Sequence, residues 1–240
     1  MIRIVFAAVV LFVETIILGV IIPLFARFDR RDRLVRLWCR IVLWVCGIHV
    51  VSEGLDRIPA SGRVVVVANH LSHFDAPSLV IELASLRLRF IGKKSLFRIP
   101  FFGWAASAMG HVPIDRERRK EAMGVVKIAA EAIHARDIAL LFFPEGTRSA
   151  DGTLAPFKGG AFVAAIAAGV PVLPIGIAGT DALLPKHSLR LRSGNVGIVV
   201  GDPISTDGYD ETTRGVLIEK ARAAVRALTE KAEALKARAR

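Results

Sequence analysis

From residue 47 onward, short β-branched runs alternate with helical stretches, and this alternation restricts the architecture of the 240-residue chain more than any other feature. The runs cover residues 48–52, 64–68, 88–91, 111–114, 138–143, 172–177 and 196–200. Helical periodicity marks residues 77–86, 96–109, 118–135, 160–168 and 211–239, the last with an apolar stripe through Leu217, Ala221, Val225, Leu228 and Leu235. Such alternation predicts an α/β fold, a largely parallel central sheet flanked by helices, with ligands beyond the carboxyl ends of the strands. Three parts are expected: membrane-anchoring helices over residues 1–46, the α/β domain over 47–208, and a basic amphipathic helix over 209–240 packed on the domain.

Much of the 53% hydrophobic content lies in the first fifty residues. Residues 4–25 are almost continuously apolar and long enough to cross a bilayer, but Glu14 near the middle costs ~3 kcal/mol at that depth. A second apolar stretch, residues 34–45, carries Arg36 and Arg40 with Trp38 and Trp44, aromatics that favour membrane interfaces. Two arrangements fit: a single span with its Arg-rich end in the cytoplasm, or a helical hairpin lying in one leaflet. Glu14 and the basic second helix favour the hairpin. Both put the body on the cytoplasmic side of the membrane.

The net charge of +11 implies an anionic partner. One Tyr, no Cys/His finger spacing and no basic run interleaved with aromatics argue against nucleic acid. Basic clusters at residues 27–40, 87–98 and 214–240, close to an apolar anchor, fit an anionic lipid surface instead. For the last cluster a solvated helix face is the plain alternative. Cys39 and Cys46 stand two helical turns apart, about 10 Å, too far for a disulfide, and read as packing residues in a reducing compartment.

The residues able to do chemistry fall at the expected strand ends. VVVVA runs directly into NHLSHFDAPSL, which puts Asn69, His70 and Asp75 past a carboxyl end. The H-x-x-x-x-D spacing of His70 and Asp75 arises by chance about 0.3 times in a chain like this, so its place at a strand end is what gives it weight. Asp75 precedes Ala76-Pro77-Ser78, where a plain helix N-cap is the simpler role, compatible with orienting an imidazole. A neutral imidazole is suited to taking a hydroxyl proton, and a carboxylate fixes its tautomer and stabilises the imidazolium. There is no G-x-S-x-G elbow and neither cysteine has an activating setting, so a substrate hydroxyl, not a protein nucleophile, is expected to attack. FFPEGTRS follows the run 138–143 and offers a close backbone approach at Gly146, a hydroxyl at Thr147 and a phosphate-matching guanidinium at Arg148, against the alternative of an ordinary surface turn. HVPIDRERRK sets Arg116 past another strand end, where a helix-start charge cluster is the commoner meaning.

NHLSHFD, GHVPIDR, FFPEGTRS and VPVLPIGI occur in this order, with FIGKKSLFRIPFFGW and FKGGA between them. Together they resemble the four motif blocks of the glycerolipid acyltransferases, the 1-acyl-sn-glycerol-3-phosphate acyltransferase (PlsC-like) family, over residues 48–203. The resemblance implies His70 as general base with Asp75 as its charge partner. It implies Arg116 as a phosphate contact, and Glu145, Gly146, Thr147 and Arg148 as the turn that recognises glycerol phosphate. Pro171 to Pro174 match the fourth block, treated as structural. It further implies an acyl-CoA or acyl carrier protein donor, lysophosphatidic acid as acceptor, phosphatidic acid as product, and no metal or other cofactor. Lys93, Lys94 and Lys158 are candidates for holding the anionic ligand, though solvated lysines are the simpler account.

Two readings from other classes compete. His70, His73 and Asp75, with His111, could form a metallohydrolase site, but the spacing matches no common zinc signature. A non-catalytic lipid-binding protein would share the basic surface without needing His70 or Asp75. Within the enzyme class, a lyso-ornithine lipid or a lysophospholipid with a head group is the alternative acceptor.

Overall fold

The structure is a computed structural model that describes residues 13, 15–22, 24, 28–114, 119–185 and 190–239. In chain order it contains α1 (Phe28–Cys46), β1 (Ile48–Glu53), β2 (Val65–Ala68), α2 (Asp75–Glu82), β3 (Leu88–Lys93), α3 (Phe102–Ala108), β4 (Val112–Ile114) and α4 (Arg119–Arg136). These are followed by β5 (Ala139–Phe142), α5 (Gly160–Ala168), β6 (Val172–Ala178), α6 (Thr180–Leu183), β7 (Gly194–Val200) and α7 (Arg214–Arg238). The strands form one seven-stranded sheet in the order β1-β7-β6-β2-β5-β3-β4. Every pair is parallel except β6–β7. The carboxyl ends of β2 to β6 therefore share one edge, and each of the seven expected strands is present.

The sheet is covered on both faces. Val64, Val66 and Ala68 face a core with Leu79 of α2, Leu83 just past its end, and Val42, Leu43 and Cys46 of α1. Val65 and Val67 face the opposite core, with Ile133 of α4, Phe162 of α5 and Leu217, Ala221 and Val225 of α7. All five β2-region residues are fully buried, which explains an apolar run with no polar alternation. Pro174 sits within β6 without breaking it. Antiparallel pairing with β7 begins only at Ile175, and the Pro174 carbonyl accepts from the Gly201 N–H, so the missing donor falls at the end of that ladder.

The long C-terminal helix is seated through glycine. A methyl group on Gly176 would overlap the backbone of Leu228 and Thr229, and one on Gly197 would overlap Ala232, so α7 lies directly on the sheet. Gly176→Ala is expected to destabilise the protein by about 3 kcal/mol, because backbone cannot move aside as a side chain can. Thermal melting should show a fall of roughly 6–12 °C for a chain of this size, and an unchanged melting temperature would contradict this seating. The outer face of α7 mixes signs, with Arg222–Glu219 and Lys236–Glu233 pairs at 3.5 and 2.6 Å, so the solvated-face alternative describes it.

Four expectations need correction. The N-terminal membrane segment is not supported: among the described residues no helix is long and apolar enough to cross a membrane. Glu14 and much of the 4–25 run lie outside the described residues, while the second apolar stretch belongs to α1, which buries Cys39, Val42, Leu43 and Cys46 on the body. The helix expected over 96–109 is broken. Ile99 is extended before Pro100, which disfavours helix in its predecessor, Phe101 turns with φ +63°, and only α3 continues. Arg89, one of the expected lipid-facing cations, is 2% exposed and pairs with Asp32 of α1 at 2.9 Å. Removing one ion from such a buried pair costs about 3–5 kcal/mol, so the bridge holds α1 against β3. Finally α7 starts at Arg214, since Asp210 ties the preceding residues into a turn through Thr212 and Thr213. Cys39 and Cys46 are both buried and neither is in a disulfide, and burial pushes the Cys39 thiol up to about 12, well outside reactive range.

Candidate active site

β2 ends at Ala68, and Asn69 extends its contact with β6 by side chain: Nδ2 donates to the Ile177 carbonyl and Oδ1 accepts the Ile177 N–H, both at 2.8 Å. The next residue, His70, leaves the sheet at the carboxyl edge. Its Nδ1 stands 2.7 Å from Asp75 Oδ2. That same oxygen accepts the N–H groups of Leu71 at 2.7 Å and Ser72 at 2.9 Å, so the four-residue loop folds around the carboxylate. Asp75 Oδ1 accepts the Thr180 hydroxyl at 2.5 Å. Asp75 is thus wholly buried and saturated, and it is the first residue of α2, not its N-cap: Phe74 caps, without side-chain help.

An ionised carboxylate only accepts, so the proton between the pair belongs to His70 Nδ1 and the Nε2 lone pair is left available. The ring stacks on Phe143 with centroids 4.0 Å apart and planes 15° from parallel. Held by a bond at one edge and an aromatic face beneath, the imidazole keeps 21% of its side-chain surface open while its partner has none.

The Pro144–Ser149 turn follows β5 and lies beside this loop. Glu145 Oε1 accepts the His70 N–H at 2.7 Å and Oε2 accepts the Ala155 N–H at 3.0 Å. The Ser149 N–H donates to the His70 carbonyl at 2.7 Å. Glu145 is 4% exposed, and burial raises its pKa while the two N–H bonds oppose the rise. Each of its oxygens accepts one backbone N–H, and these two bonds fasten the turn to the histidine loop. Gly146 has φ +75°, a conformation that favours glycine, and Thr147 is exposed. Half-buried Arg148 lies close enough to His73 that its charge, after burial, lowers that imidazole's pKa.

Of the remaining candidates, Arg116 lies outside the described residues. Lys93 and Lys94 are exposed where β3 ends. His111 accepts the Phe90 N–H through Nδ1, and burial with the nearby Arg89 guanidinium pushes it down to about 3, so it stays neutral and away from His70. Among the described residues no three His, Cys, Asp or Glu side chains form a metal-holding group. The saturation of Asp75 gives the physical reason against it as a ligand. A cavity of about 360 Å³ is lined by Asn69, Leu71, Glu145, Arg226 and Thr229, beside the histidine loop and the turn. Thr180 and Phe143 were not foreseen as site residues. Phe143 directly follows β5 and Thr180 stands two residues past β6, and only their strands' adjacency to β2 brings them to the pair.

A sequence model described as Acyltransferase matches residues 49–178, more than half of the chain, including the His70–Asp75 loop and the Pro144–Ser149 turn. The chain belongs to the acyltransferase family. Among similar family members is a chloroplastic 1-acyl-sn-glycerol-3-phosphate acyltransferase of Brassica napus, 37% identical over 82% of this chain and 58% of its own length. The human 1-acyl-sn-glycerol-3-phosphate acyltransferase alpha is 32% identical over 79% of this chain and 67% of its own. This chain spans only 48% and 55% of the Arabidopsis thaliana and Chlamydomonas reinhardtii relatives. The crystal structure of the 1-acyl-sn-glycerophosphate acyltransferase PlsC from Thermotoga maritima superposes with a TM-score of 0.78 at 26% identity, covering 99% of this chain and 96% of that one.

Proposed function

We propose that this acyltransferase moves a fatty acyl group from a thioester to the sn-2 hydroxyl of 1-acyl-sn-glycerol 3-phosphate, giving phosphatidic acid. The observation that carries it is the His70–Asp75 pair, with Nε2 available beside an arginine-bearing turn. In the step inferred, Nε2 takes the hydroxyl proton as the oxygen attacks the thioester carbonyl. The tetrahedral intermediate then collapses, the carbon–sulfur bond breaks, and the imidazolium returns the proton to the departing thiolate. Atoms and charge balance without a protein-bound acyl group or a cofactor. Asp75 offsets the transient positive charge, and Arg148 is assigned the acceptor phosphate, with Arg116 as a second candidate. The names of the similar family members support this acceptor. Acyl-CoA and acyl carrier protein both remain candidate donors.

A place on an anionic membrane surface is supported by the outer face of α1, where Arg30, Arg33 and Arg40 alternate with exposed Leu37 and Trp44. Exposed Leu96, Ile99 and Trp104 add apolar surface. This is a docking face, since the opposite side of α1 is occupied by the body.

The deciding experiment incubates purified protein with lysophosphatidic acid and either donor, with mass detection of phosphatidic acid. Arg148→Ala is expected to lower transfer to the phosphate-bearing acceptor by roughly 10–100-fold, the loss of a charge-assisted contact, while hydrolysis of the thioester by water changes little. Equal loss of both reactions would remove Arg148 from the phosphate.

A further inference from the structure

We propose that Lys158, in the FKGGA stretch, reads the acceptor phosphate together with Arg148 and selects the dianionic monoester over lysolipids whose phosphate is a monoanionic diester. This rests on the acceptor assigned above and names what makes the site prefer it.

The Lys158 N–H donates to the Pro144 carbonyl at 2.9 Å, so the residue begins against the start of the Pro144–Ser149 turn. From there its side chain crosses Gly146: Nζ lies 2.6 Å, and Cε 3.2 Å, from where a Cβ on that glycine would stand. The absence of a side chain at position 146 thus serves two ends, permitting φ +75° and letting an ammonium lie on the turn between Glu145 and Arg148. Arg214, from the first turn of α7, lies against the neighbouring Gly159, with Nε 3.2 Å from the equivalent position.

Among the described residues neither Lys158 nor Arg214 forms an ion pair. The turn's own carboxylate, Glu145, has both oxygens on backbone N–H groups. Cations gathered without carboxylates repel one another, and a bound anion relieves that repulsion in proportion to its charge. A phosphate monoester carries about −1.5 to −2 near neutral pH against about −1 for a diester, so the second cation favours the monoester. Arg148 alone would bind either, and Lys158 is what tells them apart.

The test compares wild type, Lys158→Gln and Lys158→Arg on oleoyl lysophosphatidic acid and oleoyl lysophosphatidylglycerol at saturating donor. KM is measured for each acceptor, or Ki where it inhibits without turnover. Lys158→Gln should raise KM for the monoester about tenfold, with kcat and the diester constant little changed, and Lys158→Arg should restore most of the loss. Lys158 is exposed, so thermal melts of all three should coincide. An unchanged monoester KM in Lys158→Gln, or an equal rise for both acceptors, overturns the proposal while leaving the acceptor reading intact. A wild-type protein inert toward lysophosphatidic acid removes both.

Discussion

His70→Ala should lower kcat/KM for acyl transfer by about 10²–10⁴-fold, the usual contribution of a positioned general base. The loss should appear in kcat, because the ring acts on the proton in motion and the acceptor phosphate is assigned to other groups. Stability should change little. The imidazole is partly open and contributes one side-chain bond and the Phe143 stack, while the loop's backbone is held independently by Glu145 and Ser149. A circular dichroism melt run beside a product assay separates the two effects. A folded variant retaining a tenth or more of wild-type turnover would remove His70 as the base.

Asp75→Asn should be nearly as damaging to turnover, roughly 10²–10⁴-fold, for a different reason. With its amide oxygen in the Oδ2 position, asparagine can still accept from Leu71, Ser72 and the ring, and the Thr180 hydroxyl can rotate to accept from the amide nitrogen. What is lost is the negative charge beside a developing imidazolium. The pocket is also tuned to a carboxylate with four donors around it, so melting should show a loss of about 1–3 kcal/mol as well. Asp75→Ala leaves those donors unpaired and should unfold earlier than Asp75→Asn. Asparagine matching wild-type turnover would show that charge plays no part and that Asp75 is only a loop fastener.

The different outcomes for neighbouring candidates show how much was legible beforehand. His70 and Asp75 could be paired from sequence because a five-residue spacing after a buried strand leaves few ways to fold a loop, and a local hydrogen bond satisfies them. The part Glu145 plays in fastening the turn to the histidine loop was not legible, because a carboxylate in a turn is ambiguous until the donors facing it are known; those donors, His70 and Ala155, lie 75 and 10 residues away. Arg89 looked like a surface cation because its partner, Asp32, is 57 residues distant in a different element. Apolar pattern also could not say which surface α1 covers, since a stripe suited to a bilayer is equally suited to a protein core.

Local patterning alone was enough to fix the seven strands, the covered sheet and the edge at which chemistry would gather. β-Branched runs, turn residues and a loop too short to wander act over a few residues, where chain connectivity leaves little freedom. Tertiary structure alone decided the strand order, the antiparallel β6–β7 pairing, the Thr180 and Phe143 contacts to the His70–Asp75 pair, and the path of Lys158 across Gly146. Each depends on groups brought together from distant parts of the chain, and a hydrogen bond or an excluded methyl exists only once the partner's position is set.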